Sequence, residues 1–364
     1  MNEEIEMTKQ IAQSFAVEGS IKSIEPYGNG HINVTLLVST EKKRYILQKI
    51  NKSVFKDPVS LMNNFTSVSE YLAEKAKEAG KDVDREVLTV VKTKEGKAIY
   101  LDLNGDYWRM LNFVEGSMSF DKVENPEQFY LSAKSFGDFQ YQLRDFPAET
   151  LVETIKDFHN TPERLNQLRC AVEIDCMDIA KEVRAEIEFA NSREKFINIF
   201  ENAYKEGKFK RRITHNDTKL NNILFDRETG KALCVIDLDT IMPGYAANDF
   251  GDAIRFGAST ALEDETDLSK VNFDINLYEA YTKGFIEGLN GGLSDFEVDM
   301  LPFSAIMMTL ECGMRFLTDY ISGDTYFRIH RLQHNLDRAR NQFKLVSDME
   351  KAFPEMQRIV NKYR

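Results

Sequence analysis

The sequence has little cysteine, a deficit of positive charge and no long apolar run, and each shortage removes a class of function. Its four cysteines, Cys170, Cys176, Cys234 and Cys312, form no CxxC pair and no zinc-ligand spacing. That pattern suits reduced thiols of a cytoplasmic protein rather than a disulfide framework or a zinc site. Lys and Arg number 47 against 59 Asp and Glu, a formal net charge of −12. A sequence-independent nucleic-acid or membrane surface needs clustered cations, so neither partner is expected. A nucleotide stays open, because a local site and a metal ion can meet its charge. The longest apolar run, near Ala305 to Leu310, is far short of the roughly 20 residues that a membrane span needs. The first residues, MNEEIEMTKQ, are acidic and helical in pattern, unlike a secretory signal. No repeat, low-complexity tract or obligate protein partner is evident.

What is present is ordinary for a soluble globular protein: 42% hydrophobic and 29% charged residues over 364 positions, enough for two domains or one bilobal one. A helical stripe (Ile5, Ile11, Ala12, Phe15, Ala16) gives way near Gly19 to strands over 21–27, 32–39 and 44–50. Gly28-Asn29-Gly30 joins the first two strands. Two glycines there suit either a loop laid over phosphates or a hairpin turn that needs positive φ. In the third strand Lys49 shares a face with Tyr45 and Leu47, and Gln48 shares the other with Ile46 and Ile50. Alternation does not say which face looks onto a ligand. Asp57-Pro58 predicts a helix start and Gly80 its end, with Glu70 and Glu74 as candidate partners for a strand lysine. Strands are expected over 87–93, 98–103 and 107–114, then a hinge at Glu115-Gly116-Ser117 where backbone groups would hold a nucleotide base.

From Pro126 the pattern is almost wholly helical, with helices expected over 274–289, 295–321 and 326–352. The expected fold is α+β and protein-kinase-like, with a small antiparallel-sheet lobe over 1–113 and a large helical lobe over 114–364. Between helices lies the stretch Ile213 to Asp239, with Asp217 and Asn222 five residues apart on a loop after His215. A hairpin over 223–225 and 232–236 follows and ends on Asp237. One carboxylate to deprotonate a hydroxyl, with an Asn and an Asp to hold magnesium, is the set that kinase-type phosphoryl transfer requires.

His215-Asn216-Asp217-Thr218-Lys219-Leu220-Asn221-Asn222 resembles the HxDxxxxN signature of the aminoglycoside phosphotransferase and choline kinase superfamily, and Ile236-Asp237-Leu238-Asp239 resembles its metal-site motif. The loop, the IDLDTIMPG and DFGDAIR segments and RFLTDYISGDTYF together are similar to N-acetylhexosamine 1-kinases. The resemblance implies ATP as phosphoryl donor and Mg2+ as cofactor. It implies Asp217 as catalytic base, Asn222 and Asp237 as magnesium ligands and His215 as a brace for the loop. Gly28, Asn29, Gly30, Gln48 and Lys49 are the implied nucleotide-binding residues. In many relatives a basic residue follows the Tyr-Ile-Leu of the third strand, and here that slot is Gln48.

In the resembling kinases the sugar is held by residues that match Ile24, His31, Phe256, Arg315 and Tyr326. Phe256 also suits a core, His31 its own loop, and Arg315 an ion pair with Glu311 four residues earlier. Asp249-Phe250-Gly251 spells a protein-kinase metal motif, but it lies 27 residues after Asn222 with no strand before it, whereas Asp237 lies 15 residues after Asn222 and follows a strand. Asp249 is therefore expected to be structural, as a helix N-cap. Alternatives to the sugar are another hydroxyl acceptor (choline, homoserine or an aminoglycoside) and a catalytically silent kinase-like binding protein.

Overall fold

The computed structural model describes residues 2–28 and 32–364. In chain order it begins α1 (Asn2–Gln13), β1 (Ile21–Pro26), β2 (Val34–Thr40), β3 (Arg44–Lys49), α2 (Pro58–Glu78) and α3 (Val83–Glu86). There follow β4 (Val90–Val91), β5 (Tyr100–Leu101), β6 (Tyr107–Asn112), β7 (Ser117–Met118), α4 (Pro126–Gln142), α5 (Thr161–Ile174), α6 (Arg184–Asn191), α7 (Glu194–Ile197) and α8 (Ile199–Lys205). The chain continues with β8 (Arg212–Thr214), β9 (Ile223–Asp226), β10 (Ala232–Val235), α9 (Ala246–Gly257), α10 (Ile275–Leu289), α11 (Asp295–Asp299), α12 (Leu301–Ile321) and α13 (His334–Tyr363). The fold is α+β and bilobal. Its two compact units are Met1–Ser119 with Pro147–Lys156 and Ile223–Met242, and Phe120–Phe146 with Asp157–Asn222 and Pro243–Arg364.

In the first unit an antiparallel sheet runs β1-β2-β3-β6-β4, with β5 also paired to β6. Side chains alternate between its faces. One face sends Val38, Tyr45, Leu47, Trp108 and Met110 against Ile11 and Ala12 of α1 and Phe15 just after it. The other carries a polar row across three strands: Thr35 stands opposite Gln48, and Gln48 opposite Arg109. On this face α2 brings Met62 and Phe65 against the Arg109 guanidinium. Asp57 caps α2 as its sequence predicts, accepting from the Val59 and Ser60 N–H groups. A second sheet, β10-β9-β7, pairs the hairpin with the hinge segment, Ser117 opposite Asp226 and Met118 opposite Phe225. Arg85 strengthens that attachment, ion-paired to Asp226 at 2.7 Å and bonded to the Glu115 carbonyl at 3.2 Å.

The strands expected over 87–93 and 98–103 contract to β4 and β5. Thr93 instead bridges to Phe15, and its N–H closes a turn onto the Lys97 carbonyl.

The second unit is built around α12, most of whose residues are buried. This accounts for the longest apolar run, and no described helix is long and apolar enough to cross a membrane. α4 and α10 approach closely through glycines: a Cβ at Gly137 would lie 2.3 Å from the Phe285 carbonyl oxygen, and one at Gly288 2.2 Å from that of Lys134. The helix expected over 295–321 is split, α11 opening on a Ser294–Glu297 capping box and ending at Asp299, and α12 restarting with a proline in its first turn. The helix expected to start at 326 starts at His334 instead. The loop before it is tied down by Asp319, whose carboxylate accepts from the N–H groups of Thr325, Tyr326 and Phe327.

Candidate active site

The second unit holds the loop after β8. Asn216 takes a left-handed backbone, φ 64°, a costly conformation for a residue with a Cβ that persists only where surroundings enforce it. The enforcing group is Asp249, fully buried, whose two oxygens accept from the N–H groups of His215 (2.9 Å) and Asn216 (2.8 Å) and from Gln140 Nε2 (2.6 Å). Burial holds its carboxyl above the usual range, against the opposing pull of these donors. Asp249 is structural, but not as an N-cap: α9 begins at Ala246. One turn on, Asp252 Oδ2 accepts from the Thr218 N–H at 3.2 Å, and its Oδ1 is forked by Arg255. Burial would raise the Asp252 carboxyl, but Arg255 and Lys219 beside it leave it below the usual range.

His215 is buried, its Nδ1 accepting the Asp217 N–H at 3.3 Å and its ring edge-on to Phe136 at 5.3 Å. The half-buried Asp217 carboxylate accepts from Asn222 Nδ2 at 3.2 Å and lies 3.0 Å from Lys219 Nζ. The charge of Asp217 holds the Lys219 ammonium above the usual lysine range despite burial. Asn222 Nδ2 also donates to the Asp217 carbonyl at 2.8 Å. With that amide nitrogen committed to Asp217, Oδ1 is the oxygen left to meet a cation.

His159, which sequence reasoning passed over, braces the same loop. Its Nε2 stands 3.3 Å from the Asn216 carbonyl and its Nδ1 2.9 Å from Glu311. Glu311 is buried and also accepts from Thr161 Oγ1 at 2.7 Å. Burial would raise the Glu311 carboxyl, but these partners hold it below the usual range. The partners lie 152 residues apart in the chain, and no local pattern announces them.

Glu311 is thus hydrogen-bonded to His159 and Thr161, and the Arg315 charge acts on it only at a distance. Among the described residues Arg315 makes no hydrogen bond or ion pair; its guanidinium lies over Phe158 (5.8 Å) and Phe327 (5.4 Å). Arg164, also missed from sequence, stands near it. Burial and the charge of Arg315 lower its pKa, and its Nε is buried with no partner. Tyr326 packs edge-on against Phe327 at 4.8 Å, and Lys219 Nζ lies 5.8 Å from the Phe256 ring. Phe256, Arg315 and Tyr326 therefore belong to the unit that carries Asp217.

The first unit holds Asp237, again left-handed at φ 60°, at the entry to a single 3-10 turn over 238–240. Asp239 in that turn is ion-paired to Arg109 and accepts from Asn33 Nδ2 at 2.7 Å. Gln48 faces this assembly, accepting from Arg109 Nε at 2.9 Å. Lys49 lies on the α1 side of the sheet, its Nζ 3.4 Å from Asp106 and over the Trp108 ring. Strand alternation forces this once Gln48 faces Arg109. Ile24 likewise packs against the α1 cluster. Gly28 has φ 72° and open space at its Cβ position. Asn29, Gly30 and His31 lie outside the described residues. Beside the hinge is a cavity of about 370 Å³ lined by Tyr27, Arg44, Phe113, Gly116, Ser117 and Arg227.

Known proteins share this architecture. The microcompartment-associated aminopropanol kinase is 15% identical with a TM-score of 0.58, covering 97% of this chain and 98% of that one. An aminoglycoside phosphotransferase from Alicyclobacillus acidocaldarius is 14% identical with a TM-score of 0.64, over 96% and 95% of the two chains. A choline kinase from Cryptosporidium parvum is 13% identical with a TM-score of 0.58, over 98% and 99%. Identities this low carry the fold and say nothing of the acceptor. A sequence model of the phosphotransferase enzyme family matches residues 23–283, which take in the sheet, the Asp217 loop, the hairpin and α9. This chain belongs to the phosphotransferase enzyme family.

Proposed function

We propose that the protein is an ATP-dependent kinase that phosphorylates the anomeric C1 hydroxyl of N-acetylhexosamines, N-acetylglucosamine or N-acetylgalactosamine, to give the sugar 1-phosphate. Asp217 accepts the C1 hydroxyl proton as that oxygen attacks the γ-phosphorus. The ring oxygen makes this hydroxyl a comparatively acidic alcohol, so a carboxylate is an adequate base. Lys219 and Asn222 hold Asp217 in place, and His215 and His159 hold the loop.

Among the described residues no group of three or more His, Cys, Asp or Glu side chains is placed to hold a metal ion. Magnesium does not require one, since it takes one or two carboxylates together with phosphate oxygens and water. The hard oxygens of Asn222 and Asp237 fit that role. Held by such oxygens, magnesium would supply positive charge to offset the negative charge that develops during transfer.

The observation that carries the acceptor assignment is Arg315, a guanidinium over two phenyl rings with no carboxylate of its own and Arg164 beside it. Such donors suit the carbonyl and hydroxyl oxygens of an acetamido sugar. They repel the cationic acceptors choline and aminoglycosides, which need an acidic lining. Arg315→Ala is expected to raise the sugar KM about 10- to 100-fold, the weight of a hydrogen bond to a charged group, with the ATP KM unchanged. An ADP-release screen over N-acetylhexosamines, aminoglycosides, choline and homoserine, followed by phosphorus NMR of the product, tests the assignment. An anomeric phosphate is expected. A primary ester, or turnover confined to cationic acceptors, overturns it, and magnesium-ATP binding without ADP release from any acceptor returns the silent protein.

A further inference from the structure

Asp239 stands two residues past Asp237, close enough in sequence to join the same metal ion. Its oxygens are already taken. Oδ1 is ion-paired to Arg109 and Oδ2 accepts from Asn33. Arg109 is 1% exposed, among the largest fully buried side chains of the chain. Its Nε donates to Gln48, whose Nε2 donates to Thr35 Oγ1 at 3.0 Å. Asn33 in turn accepts the Asn51 N–H at 3.0 Å. One buried guanidinium thus joins β2, β3, the segment after the glycine loop and the turn that presents Asp237, all within the first unit.

A buried ion pair adds little stability over well-packed apolar residues of similar size, because desolvation offsets the attraction. What it adds here is geometry. A left-handed Asp237 needs its turn held, and Asp239 ties that turn to Arg109 of β6 and to Asn33. An unpaired Asp239 would be a second carboxylate beside the metal position.

We propose that Arg109 is a positioning residue for the metal–nucleotide site: it neutralises Asp239, withholds it from the metal, and fixes the turn that aims Asp237. The inference rests on Asp237 being a magnesium ligand. It also gives Gln48 a purpose, since a lysine in that slot would repel the Arg109 guanidinium that Gln48 accepts from.

Calorimetric titration of the full chain with ADP, with and without Mg2+, tests it without reference to turnover. Asp237→Asn is expected to abolish the gain in ADP affinity that Mg2+ provides; if that gain survives, the metal assignment fails and the inference falls with it. Arg109→Met is expected to reduce the gain about 10- to 100-fold, the usual cost of losing a group that orients a metal ligand, with Mg2+-free ADP affinity nearly unchanged. Arg109→Met/Asp239→Leu removes both charges, so it is expected to recover urea stability but not the Mg2+ gain. Asn33→Ala, outside the core, is expected to weaken the gain in the same direction while folding normally. A Mg2+ gain at the wild-type level in Arg109→Met or in the double variant would reduce Arg109 to a stability role and overturn the proposal, as would an unaltered Asn33→Ala.

Discussion

Asp217→Asn is expected to lower kcat by about 10³-fold, within the 10²–10⁴ range that a positioned general base supplies. The amide is the same size and cannot take the acceptor's proton. The loop itself should survive the change. Asn222 Nδ2 donates to the Asp217 main-chain carbonyl as well as to its carboxylate, and the Asp217 N–H stays with His215. Lys219 loses its nearest anion but keeps the charge of Asp252. Steady-state kinetics with calorimetric ADP titration separates the outcomes. A fall in kcat with near-native nucleotide affinity marks the base, and a change confined to KM would mean that Asp217 only binds. Undiminished turnover would sink the assignment.

Asp249→Ala is expected to cost about 3–9 kcal/mol of stability, a large share of the roughly 5–15 kcal/mol that holds a typical domain folded. It strips acceptors from the His215 and Asn216 N–H groups and from Gln140 Nε2, all buried. Each orphaned buried donor costs about 1–3 kcal/mol. The left-handed Asn216 also loses what enforces it. Urea unfolding measures the loss, and magnesium-dependent ADP binding by the folded fraction measures what remains. If Asp-Phe-Gly were a metal motif here, the ordering would reverse, with stability near wild type and the magnesium dependence gone.

These two residues also mark where sequence stops being sufficient. Asp217 could be picked out because its neighbours in space are its neighbours in sequence: His215, Lys219 and Asn222 all lie within five positions of it. Asp249 could be excluded as a metal ligand by spacing, yet its work was misjudged. It bonds groups 33 and 34 residues away, so no local rule for capping applies. His159 and Arg164 were invisible for the same reason. A histidine in a polar stretch carries no mark until Glu311 and the Asn216 carbonyl are brought to its two nitrogens.

By itself, the sequence determined the order of elements, the α+β class and the acid–amide–acid spacing of Asp217, Asn222 and Asp237, because periodicity, capping and short-range spacing are local properties of a chain. Only the tertiary structure decided which face of β3 meets the Asp237 turn: Gln48 reaches it through Arg109, and Lys49 lies on the other face beside Asp106. Only it bonded Glu311 to His159 and Thr161 and set the Arg315 guanidinium over Phe158 and Phe327. A strand's alternation defines two faces without saying what covers each, and an ion's partner is whichever counter-charge packing delivers to it.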